Sequence, residues 1–273
     1  MPIRKTYRYD NGSHAVEGFR VGRFNLGINT TFIVYRIGDT LIDAGPTNQW
    51  RSVKAGLKDC DIRQLLITHH HEDHCGNAHN IADHFNLLPY APALGQEKIR
   101  TGYKTPAMQR IIWGSPKPAT TQTLTDNLTL SDGSPIIPVH TPGHAKDLTC
   151  IFLPAQKYLF SGDMYISKSM KYMRSDENLQ LLINGLRKLL ALDFDILFCP
   201  HNGIVEQGRE ALQGKLDNLL KLCQQAQTLR QKNLPLEKIT EQLLGPEDML
   251  AKISKGNFCK ANLISEALKV ELS

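Results

Sequence analysis

The chain has 273 residues, 41% of them hydrophobic and 22% charged, with 20 glycines and 14 prolines. That profile belongs to a folded globular protein and excludes disorder, collagen-like repeats and coiled coil as the main architecture. The net charge of +5 suits an anionic ligand but demands none, because net charge mainly sets solubility and non-specific association.

The segment from Met1 to Asp10 has no apolar core and does not read as a secretory signal, and no run approaches the roughly 18 apolar residues of a membrane span. Thr30 to Asp43 reads as a hairpin, with strand-like Phe32–Tyr35 and Thr40–Asp43 around the turn residues Gly38 and Asp39. Leu65 to Thr68 is a short apolar strand that stops at a run of histidines. A polar helix follows from Asn77 to Phe85, then strands near Leu87–Ala91 and Ile136–Thr141. Leu148–Leu153 and Lys157–Phe160 form a second hairpin. Ser175 is the expected N-cap of a helix running to about Leu192, with Asp176 and Glu177 in its first turn. Phe194–Cys199 is a further strand, again ending near a histidine. From Arg209 onward Leu212, Leu216, Leu219, Leu220 and Cys223 recur at helical spacing, and shorter helices follow at Leu236–Leu244 and Lys260–Leu272. Hairpins mixed with helices argue against a simple doubly wound parallel sheet. Two mixed sheets packed together and covered by helices fit the order.

The six cysteines are widely spaced with no Cys-x-x-Cys pair, so reduced thiols and a cytoplasmic protein are expected rather than a disulfide framework. Cys75 and Cys199 adjoin the histidines, either as oxidisable thiols or as small core residues.

The chemistry is concentrated in His69, His71, Asp73 and His74 directly after the Leu65 strand. In a loop leaving a strand, His69 and His71 can converge on one ion while Asp73 and His74 converge on a second, and imidazole nitrogen and carboxylate oxygen suit zinc and related divalent metals. Three more candidates each follow an apolar strand: His144 in Thr141-Pro142-Gly143-His144, Asp163 in Ser161-Gly162-Asp163, and His201 in Pro200-His201-Asn202-Gly203. One rim of a sheet could gather all seven.

These motifs, in this order and with Leu41-Ile42-Asp43-Ala44-Gly45 ahead of them, resemble those of the metallo-β-lactamase-fold hydrolases over roughly residues 29–205. The resemblance implies an α+β fold, a four-layer αββα sandwich with a dinuclear metal site at one edge. It further implies a domain over 1–208 and a C-terminal helical extension over 209–273 packed on it. His69, His71 and His144 would hold one metal and Asp73, His74 and His201 the other, with Asp163 bridging. Asp43 would orient these ligands from behind. The implied cofactors are two divalent ions, zinc by default with iron or manganese as alternatives, carrying a bridging hydroxide that attacks the substrate. Asp73 would be the catalytic residue, holding its metal and accepting the proton of the hydroxide. The chain has no Gly-x-Ser-x-Gly elbow.

Within the family, the chain keeps Asp163, which zinc β-lactamases without a bridging acid lack, and His71, where di-iron flavoproteins have glutamate. The 74–144 interval leaves no room for the added domain of the large nucleases. The remaining resemblance is to the glyoxalase-II-like group: thioesterases, lactonases and lactamase-like endoribonucleases. A mononuclear iron dioxygenase shares much of the motif set. The expected activity is hydrolysis of a small thioester, ester or lactone. The alternatives are an endoribonuclease or phosphodiesterase, or a regulatory protein that binds ligand with little turnover. Tyr165, Lys168, Lys171 and Tyr172 are candidate substrate contacts or plain loop residues. The basic segment Gln96–Lys117 is either a lid over the site or a solvated helix face. The expected partner is a small, anionic molecule, with no membrane and no nucleic acid; a homodimer is compatible.

Overall fold

The computed structural model describes residues 3–12, 14–25 and 30–272. Residues 1, 2, 13, 26–29 and 273, which fall within the expected segments 1–208, 29–205 and 209–273, lie outside the described residues. The described residues form two compact units. The first comprises residues to His140, Lys146–Ile166 and Asp193–Gly208, and the second comprises Thr141–Ala145, Ser167–Leu192 and Arg209 onward.

The first unit is built on two mixed sheets. Seven strands, β1 (Lys5–Tyr9), β2 (Val16–Val21), β3 (Phe32–Ile37), β4 (Thr40–Ile42), β5 (Gln64–Leu66), β6 (Tyr90–Ala91) and β7 (Gln122–Thr123), lie side by side in chain order. The pairs β1 to β4 are antiparallel and β4 to β7 parallel. The second sheet holds β8 (Ile137–His140), β9 (Thr149–Leu153), β10 (Tyr158–Phe160), β12 (Ile196–Cys199) and β13 (Gly203–Val205), in the order β13-β12-β10-β9-β8. Its one parallel pair is β10 with β12. Helices α1 (Trp50–Gly56), α2 (Ala78–Phe85), α3 (Ala93–Thr101) and α4 (Ala107–Ile112) connect the strands of the first sheet.

Strand β3 shows how the layers are held. Successive side chains point to opposite faces, so Phe32 and Val34 join a core with Val53, Leu57, Ile81 and Ile99 on the helix side. Ile33, Tyr35 and Ile37 join a second core with Ile151, Tyr158, Phe160 and Phe198 between the sheets. Each fully buried apolar side chain of this kind contributes about 1.5–3 kcal/mol relative to exposure. Tyr35 keeps its hydroxyl satisfied by donating to Cys199 O at 2.9 Å.

The second unit contains α5 (Leu179–Leu190), most of α6 (Gly208–Gln231), α7 (Leu236–Leu244), α8 (Met249–Ile253) and α9 (Lys260–Ala267), with a small antiparallel ribbon of β11 (Met173–Arg174) and β14 (Phe258–Cys259). Leu212, Leu216, Leu219 and Cys223 of α6 are buried, as their spacing predicted, while α9 ends five residues before the expected Leu272. This ribbon corrects the expected start of α5. Ser175 does not cap the helix: its N–H donates to Asn257 O at 2.8 Å and its hydroxyl to Asn257 Oδ1 at 2.6 Å. Asn178 is the N-cap, its side chain accepting from Leu181 N at 2.8 Å. The ribbon also ties 167–192 to the chain beyond 209, so this grouping differs from a single cut at 208.

Candidate metal centre

The loop from His69 to His74 begins where β5 ends, and Asp43 at the end of β4 fixes its first turn. Asp43 takes a left-handed backbone conformation at φ 61°, a position that costs most side chains strain but that Asp tolerates. Its carboxylate accepts from Thr68 N at 2.7 Å, Thr68 Oγ1 at 2.9 Å and His74 Nδ1 at 2.7 Å. At the loop's far end, Gly76 lies against other backbone. A Cβ there would stand 2.3 Å from Glu72 O and 2.7 Å from Gly45 O and Thr47 N. Backbone cannot yield as a flexible side chain does, so Gly76→Ala is expected to cost about 3 kcal/mol. Denaturant unfolding reads this directly; a loss under 0.5 kcal/mol would show that the loop relaxes freely.

Six of the seven candidate ligands lie in the first unit, and they form two sets. His69, His71 and Asp163 each offer a ligand atom, all within 4.8 Å of one another. Asp73, His74 and His201 do the same. All six are buried. Asp163, in the short 3-10 turn after β10, links the sets: its Oδ1 lies 3.2 Å from His74 Nε2 and 3.3 Å from His201 Nε2. His201 Nε2 is also 3.4 Å from Asp73 Oδ2, and His69 Nε2 is 3.0 Å from His71 Nδ1. Two donors held at about 2.0–2.1 Å from one ion in tetrahedral geometry stand about 3.3 Å apart. The observed spacings are those of ligand edges.

The donors are also turned the right way. Asp43 takes the Nδ1 proton of His74, and the Thr31 carbonyl takes that of His201 at 3.0 Å. Each bond leaves Nε2 as a lone pair facing the other donors. His74 Nε2 is buried and makes no hydrogen bond, a costly state for a polar atom unless a cation completes it. Charge points the same way. Burial pushes the His74 imidazole down, but Asp43, Asp163 and Asp73 outweigh it and hold its pKa well above the ordinary value. His201 is likewise raised, burial opposing and Asp163 and Asp73 prevailing. Three buried carboxylates in one pocket call for positive charge, and divalent ions fit it.

His144 belongs to the second unit, where its Nδ1 is 2.7 Å from Glu177 Oε1. Glu177, read from sequence as a first-turn helix residue, orients this imidazole. Sequence reading also passed over His70 and Asp147. His70 donates its backbone N–H to Asp147 Oδ2 at 2.8 Å and its ring Nδ1 lies 2.7 Å from Asp147 Oδ1. Its Nε2 faces Lys98 Nζ at 2.9 Å, and its carbonyl accepts from Tyr103 at 2.6 Å. The alternation His69-His70-His71 was the available signal: the middle ring must face away from the ligands.

The substrate-contact candidates are differently placed. Tyr165 is only 3% exposed, in the first unit. In the second unit the Tyr172 hydroxyl donates to Asp248 and its ring stacks on Phe258, Lys168 O accepts from Asn218, and Lys171 is exposed. Across Gln96–Lys117, α3 and α4 are separate helices joined by an irregular segment, and Trp113 after α4 brings its ring to 6.3 Å from that of His201. Cys75 and Cys199 are buried free thiols; burial pushes Cys199 up to about 11 and Cys75 well above its usual value, so both stay protonated core residues at neutral pH. No described helix is long and apolar enough to cross a membrane.

Residues 24–201 match the model of the metallo-beta-lactamase superfamily. Among curated proteins, the chain is 26% identical over 207 residues to an atrochrysone carboxyl ACP thioesterase of Aspergillus fumigatus, covering 74% of this chain and 59% of that one. It is 28% identical over 142 residues to a hydroxyacylglutathione hydrolase of Bartonella tribocorum, covering 51% and 49%. The chain thus spans about half the length of these curated relatives. A beta-lactamase domain protein from Burkholderia ambifaria superposes with a TM-score of 0.71 at 14% identity, covering 96% of this chain and 87% of that one. The ordered ligand motifs, the two mixed sheets and the matching model together make this chain a member of the metallo-beta-lactamase superfamily, with that superfamily's α+β fold.

Proposed function

We propose that the protein is a dinuclear-metal hydrolase of small acyl thioesters, with esters and lactones as weaker substrates. The observation that carries this reading is the pair of buried donor sets joined at Asp163. The two relatives named for a carrier-protein thioesterase and an acyl-glutathione hydrolase support the thioester. His69, His71 and His144 would hold one ion and Asp73, His74 and His201 the other, with Asp163 shared; His144 enters on the family resemblance. Zinc is the proposed metal, since imidazole and carboxylate donors in near-tetrahedral spacing suit it. Two bound cations would supply an acidified water and polarise the substrate carbonyl.

The chain's own residues do the rest. Asp73 Oδ2 stands among the donors, where it would hold an ion and accept the proton released in hydrolysis. The Asp43–His74 and Thr31–His201 hydrogen bonds fix two imidazoles so that no reorganisation is needed at the transition state. Trp113 gives the site an apolar wall beside His201. Six free thiols suit a reducing cytoplasm, and a small anionic substrate suits the scattered cations better than a polymer, which needs a continuous basic track.

The test is a panel of acyl thioesters, lactones, a β-lactam, a nucleotide diester and single-stranded RNA at physiological salt. Thioester turnover should lead the panel and be abolished by chelator. RNA cleavage that weakens steeply with salt, without thioester turnover, would replace this reading with the endoribonuclease.

A further inference from the structure

Beside α1 lies an open cavity of about 490 Å3 that none of the seven metal-ligand candidates lines. Its charged lining residues are Arg51 and Lys117; Asn48, Gln49 and Asn80 also line it, and no carboxylate residue does. Both cations are exposed, and the described hydrogen bonds and ion pairs include none from either side chain. Two other basic residues of the neighbouring segment are engaged: Arg100 pairs with Glu97, and Lys98 faces His70. The amides are pinned, with Asn48 Nδ2 donating to Ile112 O at 2.8 Å and Asn80 Nδ2 to Asn77 Oδ1 at 2.9 Å. The cavity therefore offers hydrogen-bonded amides and two exposed positive charges.

Its position ties it to the metal centre at two points. Thr47, in its wall, donates through Oγ1 to Gly76 O at 2.8 Å, two residues after His74. Asn48 N donates at 3.2 Å to the carbonyl of Trp113, whose ring approaches His201. The cavity wall is thus hydrogen-bonded to the segments that carry His74 and Trp113.

We propose that this cavity binds a phosphate carried on the non-reacting end of the thioester substrate, the phosphate that terminates a pantetheine arm. The proposal rests on the thioester reading above. The Arg51 guanidinium offers a planar fork matched to phosphate oxygens and Lys117 a point charge. The volume lies within the range of small-molecule sites, so it admits a nucleotide extension as well as the phosphate alone. Because the cations are solvated, the contact orients substrate and adds modest affinity.

The experiment compares one acyl group on two carriers, coenzyme A and phosphate-free N-acetylcysteamine, in the wild type and in Arg51→Gln/Lys117→Gln. Both substitutions are on exposed side chains. The double variant should raise KM for the coenzyme A thioester about tenfold, the loss of two solvent-screened charge contacts, while kcat and the N-acetylcysteamine kinetics stay unchanged. Equal effects on both substrates, or none on either, would overturn the proposal. Calorimetric titration with free coenzyme A separates this site from the hydrolase reading. If no thioester is turned over but coenzyme A binds the wild type and binds the double variant about tenfold more weakly, the phosphate site stands and the hydrolase reading falls. Equal coenzyme A binding by both proteins, or no binding to either, overturns the site. Inorganic phosphate as competitor distinguishes a phosphate contact from a nucleoside contact: it should displace coenzyme A, and failure to do so counts against the site.

Discussion

Replacing Asp73 with alanine should lower turnover about a thousandfold or more while leaving the fold intact. Its carboxylate is one of three donors in its set, with Oδ2 3.4 Å from His201 Nε2. It is proposed both to hold a metal and to receive a proton in the transition state, and removing one such electrostatic element typically costs 10²–10³ in rate. The sheets do not rest on it: Asp73 lies in the loop, outside both apolar cores. The variant should therefore unfold within about 1 kcal/mol of wild type. Denaturant melts, metal analysis and thioester kinetics on the same preparation check all three parts. Near-normal turnover with one metal bound would remove Asp73 from the mechanism.

Asp43→Ala carries the second large effect, and it acts without touching the substrate. The carboxylate is the acceptor for Thr68 N, Thr68 Oγ1 and His74 Nδ1, so its loss strands a buried backbone N–H at a cost of about 1–3 kcal/mol. It also frees His74 to change tautomer, and loss of such a supporting partner lowers metal affinity by about 10–100-fold. Asp43→Asn separates these effects. Its single amide oxygen can serve Thr68 or His74 but not both, and Asn tolerates the left-handed backbone as Asp does. Stability should largely return, while metal affinity, read by competition with a chelating dye, should stay reduced. Full recovery of both would show that Asp43 is only a loop brace.

The metal loop was legible in the sequence because its information is local. Four donors in six residues after an apolar strand have few other uses, and the structure brings His69, His71, Asp73, His74, Asp163 and His201 into two sets within one unit. The hairpins β3–β4 and β9–β10 were legible for the same reason, since turn residues sit between apolar runs. What the sequence hid is held by contacts distant in the chain. Strands β1 and β2 were not anticipated: Arg8 and Glu17 in them form an exposed ion pair, and those charges mask the alternation. The cap of α5 was misplaced because Ser175 and Asn178 both carry cap-forming side chains. The choice is made by Asn257, eighty-two residues onward, which takes Ser175 into the ribbon instead. Asp147 escaped notice and Glu177 was read only as a first-turn acid, because an acid that orients a histidine has no fixed spacing from it.

The central claim is that the buried donors hold two metals that together make a hydrolase. It is tested most directly by stripping the purified protein with chelator, returning zinc in measured equivalents, and following metal content by elemental analysis alongside thioester hydrolysis. Activity should rise until two equivalents are bound per chain and then level off. Saturation at a single equivalent, or a native protein carrying one iron and no second metal, would contradict it and favour a mononuclear oxygenase on the same fold.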